Sequence, residues 1–183
     1  PARSGERELV WCGLAFLLAL TVRAAFTLNF PTIHGGDAAA RLAHASTLKL
    51  GYQLPLPQAF VMLGKAISDD PLFVRLVFCA LGGLLVSGVT ALVSIGPGPR
   101  AAVFAALLLS FDPLLIHYSI VPYQESAAYG LLAWAFYFAL SGRPRIGACV
   151  IAAACLSRYE AWLFLPPFVW LARSRLTAAV ACV

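Results

Sequence analysis

The sequence predicts an all-α membrane protein: a polytopic transmembrane helical bundle with a long external loop that carries interfacial helices. Of its 183 residues, 61% are hydrophobic and 11% are charged, whereas a soluble domain carries about 25% charged residues. The hydrophobic residues also come in blocks separated by short charged or Pro/Gly-rich segments, as spans and loops do. Helices are the expected spanning form, because lipid leaves each backbone polar group to be satisfied within its own segment.

The hydrophobic blocks predict six spans and the start of a seventh. They lie at residues 9–29, 72–95, 101–116, 126–140, 146–157 and 161–172, with a last block beginning at residue 176. The first block is longer than the roughly 7 to 15 residues of a signal-peptide core, so we predict a retained span. Because the chain opens on Pro1 and stops inside an apolar block, we expect the natural protein to be longer than residues 1–183.

Two places in these blocks predict breaks. The sequence Asp112-Pro113 predicts a helix stop near the outer end of the third span. Segments 146–157 and 161–172 are each short against a hydrocarbon core of about 30 Å. A single span over 146–172 is the alternative, but it would bury Arg158 and Glu160 near its middle. We therefore predict two short helices that meet at Ser157-Arg-Tyr-Glu160.

The charges predict an orientation with a cytoplasmic N-terminus. The inside segments then hold seven of the thirteen basic residues: Arg3, Arg7, Arg100, Arg143, Arg145, Arg173 and Arg175. This distribution follows the positive-inside rule. Six of the eight acids fall outside: Asp37, Asp69, Asp70, Asp112, Glu125 and Glu160. Because acids contribute little to topology, their grouping on one side predicts a shared site.

The external loop is predicted to run from about residue 30 to residue 71. It contains an amphipathic stretch at 37–50 and an apolar stretch at 56–67, each suited to lying along the membrane interface. The loop begins with His34-Gly-Gly-Asp37, where two glycines allow the backbone to approach a ligand closely. Asp37 is also a favourable helix N-cap, and the sequence leaves both roles open.

Ionisable residues at membrane depth are functional candidates by default, which singles out Arg158 and Glu160. An ion pair of Arg158 with Glu160 or Glu125 is the purely structural alternative. Glu125 could equally be a first-turn acid that meets a helix dipole. We expect Arg23 to pair with an acid and Arg75 to extend its charge to the interface.

Other classes lack their usual signals. The net charge of +5 comes from scattered Lys and Arg, without the basic run or aromatic interleaving that nucleic-acid binding requires. No P-loop, dinucleotide-binding fingerprint, HExxH or GxSxG motif is present. We therefore expect no nucleic-acid partner and no nucleotide-driven chemistry.

In the order and spacing of its features the chain resembles the GT-C superfamily of membrane glycosyltransferases, which includes protein O-mannosyltransferases and aminoarabinose transferases. The resemblance covers nearly all 183 residues, as the N-terminal part of a GT-C-like catalytic module. After the first-loop acid, the matching features are Leu54-Pro-Leu-Pro57, Val74-Arg-Leu76, Tyr118-Ser119, Gln124-Glu125-Ser126, Leu156-Ser-Arg-Tyr-Glu-Ala161 and Leu165-Pro-Pro167. Asp37 is followed by three alanines rather than by the second acid of several member families, which leaves the subfamily and any divalent metal unassigned.

The resemblance implies transfer of a hexose or pentose from a polyprenyl-phosphate donor to an acceptor on the outer or lumenal face. Asp37 and Glu125 would be catalytic, with Asp37 taking the proton of the acceptor hydroxyl. Arg158 would bind the donor phosphate. The other substrate-binding candidates are Glu160, Tyr159, His34, Tyr52 and Gln124.

The resemblance also implies a place and partners for the protein. We expect a multi-pass protein of a bacterial or archaeal plasma membrane, with an outward-facing site that meets a lipid-linked donor and membrane lipid. A transporter or channel, lined by the same charges, stays open as an alternative. So does a non-catalytic scaffold. We expect activity from the longer protein and make no prediction for these 183 residues alone.

Overall fold

A computed structural model describes residues 2–30, 36–46, 48 and 54–181 of the chain. These ranges are helical and contain no strand, so the all-α prediction is confirmed for them. The helices are α1 (Ala2–Asn29), α2 (Gly36–Ala43), α3 (Pro55–Ile67), α4 (Pro71–Ile95), α5 (Pro99–Phe111), α6 (Pro113–Ile120), α7 (Glu125–Leu140), α8 (Pro144–Cys155), a 3₁₀ helix (Tyr159–Phe164) and α9 (Leu165–Ala181).

Helix α4 is the centre of the fold. It packs against α1, α3, α5, α6 and α7, and α7 in turn packs against α8. Small residues on α4 allow these close approaches. A Cβ atom on Gly83 would lie 2.9 Å from the ring of Phe16 on α1, and one on Gly88 would lie 2.8 Å from Trp134 on α7. Together, these contacts place α4 between α1 and α7.

Two helices in the described part of the chain are long and apolar enough to cross a membrane. They are Val10–Asn29, within α1, and Pro71–Ile95, which is α4. Their bounds agree closely with the predicted spans 9–29 and 72–95. Large apolar side chains of α1 are exposed, among them Trp11 (49%) and Leu17 (56%). Length, composition and this surface all support a membrane protein.

The third predicted span, 101–116, is wrong as a single helix, although the stop predicted at Asp112-Pro113 is confirmed. Helices α5 and α6 meet there at an angle of 61°. Pro113 has no N–H to donate to the carbonyl of Leu109, so the helical ladder breaks at this point. Asp112 starts the new helix, since its side chain accepts a hydrogen bond of 2.8 Å from the Leu115 N–H.

The break predicted at Ser157-Arg-Tyr-Glu160 is confirmed. Helix α8 ends at Cys155, and the backbone of Arg158 is extended before the 3₁₀ helix begins. The predicted separation of segments 161–172 and 176 onward is wrong. Helix α9 runs through Arg173 and Arg175 without interruption, because arginine is a good helix former and needs no loop.

Both stretches predicted in the first loop form helices, but the first is shorter than predicted. Helix α2 ends at Ala43 rather than at residue 50, and α3 begins at Pro55, where a missing N–H costs nothing. Helix α3 packs directly on α4: a Cβ atom on Gly64 would lie 2.9 Å from the Val74 nitrogen. This contact fixes α3 against the bundle.

Arg23 does not make the predicted pair with an acid. Its side chain is completely buried, and no ion pair joins it to a carboxylate in the described residues. Instead, its guanidinium donates to the carbonyls of Leu109 at 3.2 Å and Ser110 at 3.5 Å. These carbonyls precede the break at Pro113 and have lost helical partners, which is why a buried cation can bind them.

Arg75 binds the ends of two neighbouring helices, and the predicted extension of its charge to the interface stays a prediction. The side chain is 2% exposed and donates to three backbone carbonyls. Nε binds Ile120 O at 2.9 Å, Nη1 binds Thr27 O at 3.1 Å and Nη2 binds Phe30 O at 2.6 Å. These carbonyls lie at the ends of α6 and α1, so one side chain ties both helix ends to the start of α4.

Candidate functional site

The candidate site is centred on Arg158, in the turn between α8 and the 3₁₀ helix. Its Nη1 donates to Glu125 Oε1 at 2.5 Å. Its Nε and Nη2 donate to the two carboxylate oxygens of Glu160, at 2.9 and 2.6 Å. Glu160 is a near neighbour in sequence, whereas Glu125 is the first residue of α7 and reaches the turn only through the fold. The guanidinium thus lies between two carboxylates.

Burial differs among the three charged side chains. Those of Arg158 and Glu125 are 17% and 19% exposed, whereas that of Glu160 is 53% exposed. The hydrogen bonds to Glu160 raise the pKa of Arg158 above its ordinary value. The same bonds lower the pKa of Glu160 to about 2. Both groups are therefore charged at neutral pH. The ring of Tyr129 lies 5.8 Å from the guanidinium carbon and adds a cation–π contact.

Glu125 binds Arg158 through only one of its two carboxylate oxygens. Its Oε2 is buried and has no hydrogen-bond partner among the described residues. A buried carboxylate oxygen without a partner is costly, and such atoms are uncommon in folded proteins. The first turn of α7 offsets part of this cost, because the helix dipole favours a negative charge there.

Gln124 connects this cluster to α2. Arg41, which is 1% exposed, donates from Nη2 to Gln124 Oε1 at 2.5 Å. The amide of the fully buried Gln58 on α3 donates to the carbonyls of Arg41 at 3.2 Å and His44 at 2.7 Å. These bonds fasten α2 both to α3 and to the start of α7.

Asp37 lies on α2, the helix that hydrogen bonds fix against Gln124 and Gln58. It lies four residues before Arg41, which is about 6 Å along a helix. Because α2 begins at Gly36, Asp37 lies within the first turn of the helix, where the helix dipole favours a negative charge. The side chain is exposed. Asp37 is thus on a helix docked against the residue that precedes Glu125.

Two further contacts hold the walls of the site together. The N–H of Leu56, in the first turn of α3, donates to the carbonyl of Leu156 at 3.1 Å. Ser126 donates to the carbonyl of Tyr118 at 2.8 Å and shares a 3.1 Å hydrogen bond with Ser119. The start of α3 is thereby joined to the Arg158 turn, and the end of α6 to the start of α7.

The structure unites part of the predicted residue set. Glu125, Arg158, Glu160 and Gln124 belong to one connected region, and Asp37 is linked to it through α2. His34 and Tyr52 lie outside the described residues. Tyr159 is 52% exposed and its ring meets Trp162 edge-on at 5.7 Å.

Sequence reasoning missed Arg41 and Gln58. Both carry polar groups, yet both are buried between short helices. The only signal was the four-residue spacing of Asp37 and Arg41, which places them on one face of a helix.

Exposed apolar side chains follow Arg158 along the chain. We call them the apolar flank: Tyr159 (52% exposed), Trp162 (52%), Leu163 (75%), Phe164 (42%) and Trp170 (74%). Large apolar residues exposed in a row indicate contact with lipid or another apolar partner. Aromatic residues among them are typical of a membrane–water interface.

No group of three or more His, Cys, Asp or Glu residues that could hold a metal occurs in the described ranges. Comparison of the chain with family models, with curated proteins and with solved structures found no match in any of the three.

Proposed function

We propose that this chain forms the catalytic part of a membrane glycosyltransferase. It would transfer a sugar from a polyprenyl-phosphate donor to an acceptor on the outer or lumenal side of the membrane. The observation that carries the proposal is the mostly buried guanidinium of Arg158. It lies beside Glu125, which has one carboxylate oxygen without a partner among the described residues, and it is followed in the chain by the apolar flank.

The ligand best matched to this arrangement is an amphiphile with a phosphate. A guanidinium binds two phosphate oxygens through parallel N–H groups, and it does so best where water is partly excluded. The apolar flank is suited to a hydrocarbon chain. When a sugar–phosphate bond breaks, negative charge grows on the leaving phosphate, and Arg158 would stabilise it.

The acids would act on the acceptor. Asp37, on the docked helix α2, is the proposed base that takes the proton of the attacking hydroxyl. Glu125 already binds Arg158 through Oε1, so its proposed role is to orient the guanidinium and to accept a hydrogen bond through Oε2. The two carboxylates thus have different tasks.

The contacts of the chain support a site at one end of a multi-pass bundle. The carbonyls bound by Arg75 bring the ends of α1 and α6 to the start of α4. The pair of Arg158 and Glu125 brings the turn after α8 to the start of α7. This grouping is the one expected if α1, α4, the bent α5–α6 pair, α7 and α8 cross in alternating directions. We propose that this end faces outward.

Donor-dependent transfer by the purified full-length protein tests the proposal. Arg158→Lys keeps the charge but loses the planar fork. We expect it to raise the KM for a polyprenyl-phosphate sugar by about tenfold or more, since a lost bidentate contact costs at least about 1.4 kcal/mol. Arg158→Ala should abolish measurable turnover. Arg100→Lys, at an exposed arginine, is the matched control. Unchanged kinetics in both Arg158 variants would refute the proposal.

A transporter is the second candidate, and the break between α5 and α6 favours it, because transporters bind substrates at broken helices. The carbonyls exposed by this break, however, are bound by the buried Arg23. Uptake by vesicles that contain the protein, lost in Arg23→Met but unaffected by Arg158→Lys, would favour the transporter.

A further inference from the structure

The two carboxylates that bind Arg158 are not equivalent. Glu125 uses one oxygen, is 19% exposed and is anchored at the start of a long helix. Glu160 uses both oxygens, is 53% exposed and lies only two residues from Arg158. Glu125 is therefore fixed within the helical bundle. Glu160 binds the guanidinium from its solvent-exposed side.

Glu160 covers the edge of the guanidinium formed by Nε and Nη2. This edge offers two parallel N–H donors, which is the arrangement that binds two oxygens of a phosphate. A carboxylate and a phosphate cannot use it together. Because ion pairs with an exposed partner are weak, a phosphate can replace the carboxylate of Glu160 without disturbing Glu125.

We infer that Glu160 is an internal competitor for the anion-binding edge of Arg158, displaced when a lipid phosphate binds. The inference rests on the proposed function for the identity of the anion, but it concerns binding alone. Once displaced, the Glu160 carboxylate can return to water, because its side chain is already half exposed. Arg158 stays in place through Glu125 and through the ring of Tyr129.

Two observations bear on the competing anions. The lowered pKa of Glu160, about 2, keeps the carboxylate charged at neutral pH, so it competes fully. The apolar flank favours a phosphate attached to a hydrocarbon chain over a free phosphate ion. Farnesyl phosphate, a short polyprenyl phosphate, is therefore the informative probe. Inorganic phosphate tests its phosphate group alone, and farnesol tests its hydrocarbon chain alone.

The test is calorimetric titration of these three probes into the full-length protein in zwitterionic lipid nanodiscs. Glu160→Gln removes the charge while keeping the shape. We expect the Kd of Glu160→Gln for farnesyl phosphate to be about tenfold lower than that of the unmutated protein. This factor assumes that Glu160 leaves the Nε–Nη2 edge free about one-tenth of the time, because the apparent Kd is the intrinsic Kd divided by that fraction. Asp69→Asn is the control, since it removes a fully exposed carboxylate from the ion pair with Lys65, and it should change nothing.

Further variants keep the test decisive. Glu160→Ala removes the carboxylate altogether and should show the same gain if the Gln variant folds poorly. Adding Arg158→Met should remove the gain. An unchanged or weaker affinity in Glu160→Gln and Glu160→Ala would overturn the inference, and so would equal binding of farnesol. Equal affinity for inorganic phosphate would overturn its lipid component. Because no sugar is present, failure of the transferase proposal would leave these outcomes readable.

Discussion

Replacement of Arg75 by Met should destabilise the fold strongly, although the proposed mechanism gives Arg75 no part in the chemistry. The side chain is 2% exposed and binds three carbonyls from two other helix ends. Methionine keeps an unbranched stem of similar length and removes every donor. The carbonyls of Thr27, Phe30 and Ile120 would then lose this partner, and the bond to Thr27 is buried.

The magnitude follows from these three bonds. Hydrogen bonds from a charged donor contribute about 1.5 to 3 kcal/mol each, and they are not additive. Burying a guanidinium without a carboxylate also costs desolvation free energy. Replacing Arg75 by Met removes this cost, which offsets part of the lost hydrogen bonding. We therefore expect Arg75→Met to lower the free energy of unfolding by about 2 to 4 kcal/mol, less than the sum of three bonds. Arg75→Lys should fall between, because a single ammonium cannot reach all three oxygens.

The assay is reversible unfolding in mixed micelles, followed by helical circular dichroism. Arg100→Met is the control, since it removes an exposed arginine at the start of α5. If Arg75→Met changed the free energy of unfolding no more than Arg100→Met, or if Arg75→Lys had full stability, the three carbonyl bonds would not be what stabilises these helix ends.

Two other predictions concern sidedness and pH. Single cysteines at Ser68 and Ser141, in a cysteine-free background, should be labelled from opposite sides of the membrane. Labelling of both from the same side would contradict the proposed arrangement of spans. Because the pKa of Glu160 is lowered to about 2, its ion pair with Arg158 should stabilise the fold fully above pH of about 4.3 and lose that effect as the pH falls towards 2. A carboxyl ¹³C titration should show this low midpoint, moving to about 4.3 in Arg158→Met; an identical midpoint in both proteins would contradict it.

The breaks in the helices could be predicted from sequence because their causes are local. Proline at position 113 removes a donor whatever surrounds it, and a charged pair inside a hydrophobic block opposes a continuous span. The partners of Arg23 and Arg75 could not be predicted. They are backbone carbonyls at the ends of other helices, and no residue type marks a free carbonyl.

The candidate site divides in the same way. Arg158, Glu160 and Glu125 were recognisable because charged residues are rare in hydrophobic surroundings. Arg41 was not recognisable, because it lies in the amphipathic stretch 37–50. A charged residue in such a stretch is expected on the solvent-exposed face of the helix. Only the docking of α2 against Gln124 shows that this charge is buried and that Asp37 is carried with it.

In the proposed mechanism Asp37 is the catalytic base and Arg158 binds the donor phosphate. The most direct test separates binding from turnover in Asp37→Asn. As a first-turn acid, Asp37 contributes about 0.3 to 1 kcal/mol through the helix dipole, so asparagine should leave folding nearly unchanged. As a base it cannot be replaced, because an amide takes no proton, and general bases contribute about 100-fold to 10,000-fold in rate. We predict that full-length Asp37→Asn binds the polyprenyl-phosphate donor as the unmutated protein does and transfers sugar at least about 100-fold more slowly. Transfer within a few-fold of the unmutated rate, at equal donor binding, would contradict the account.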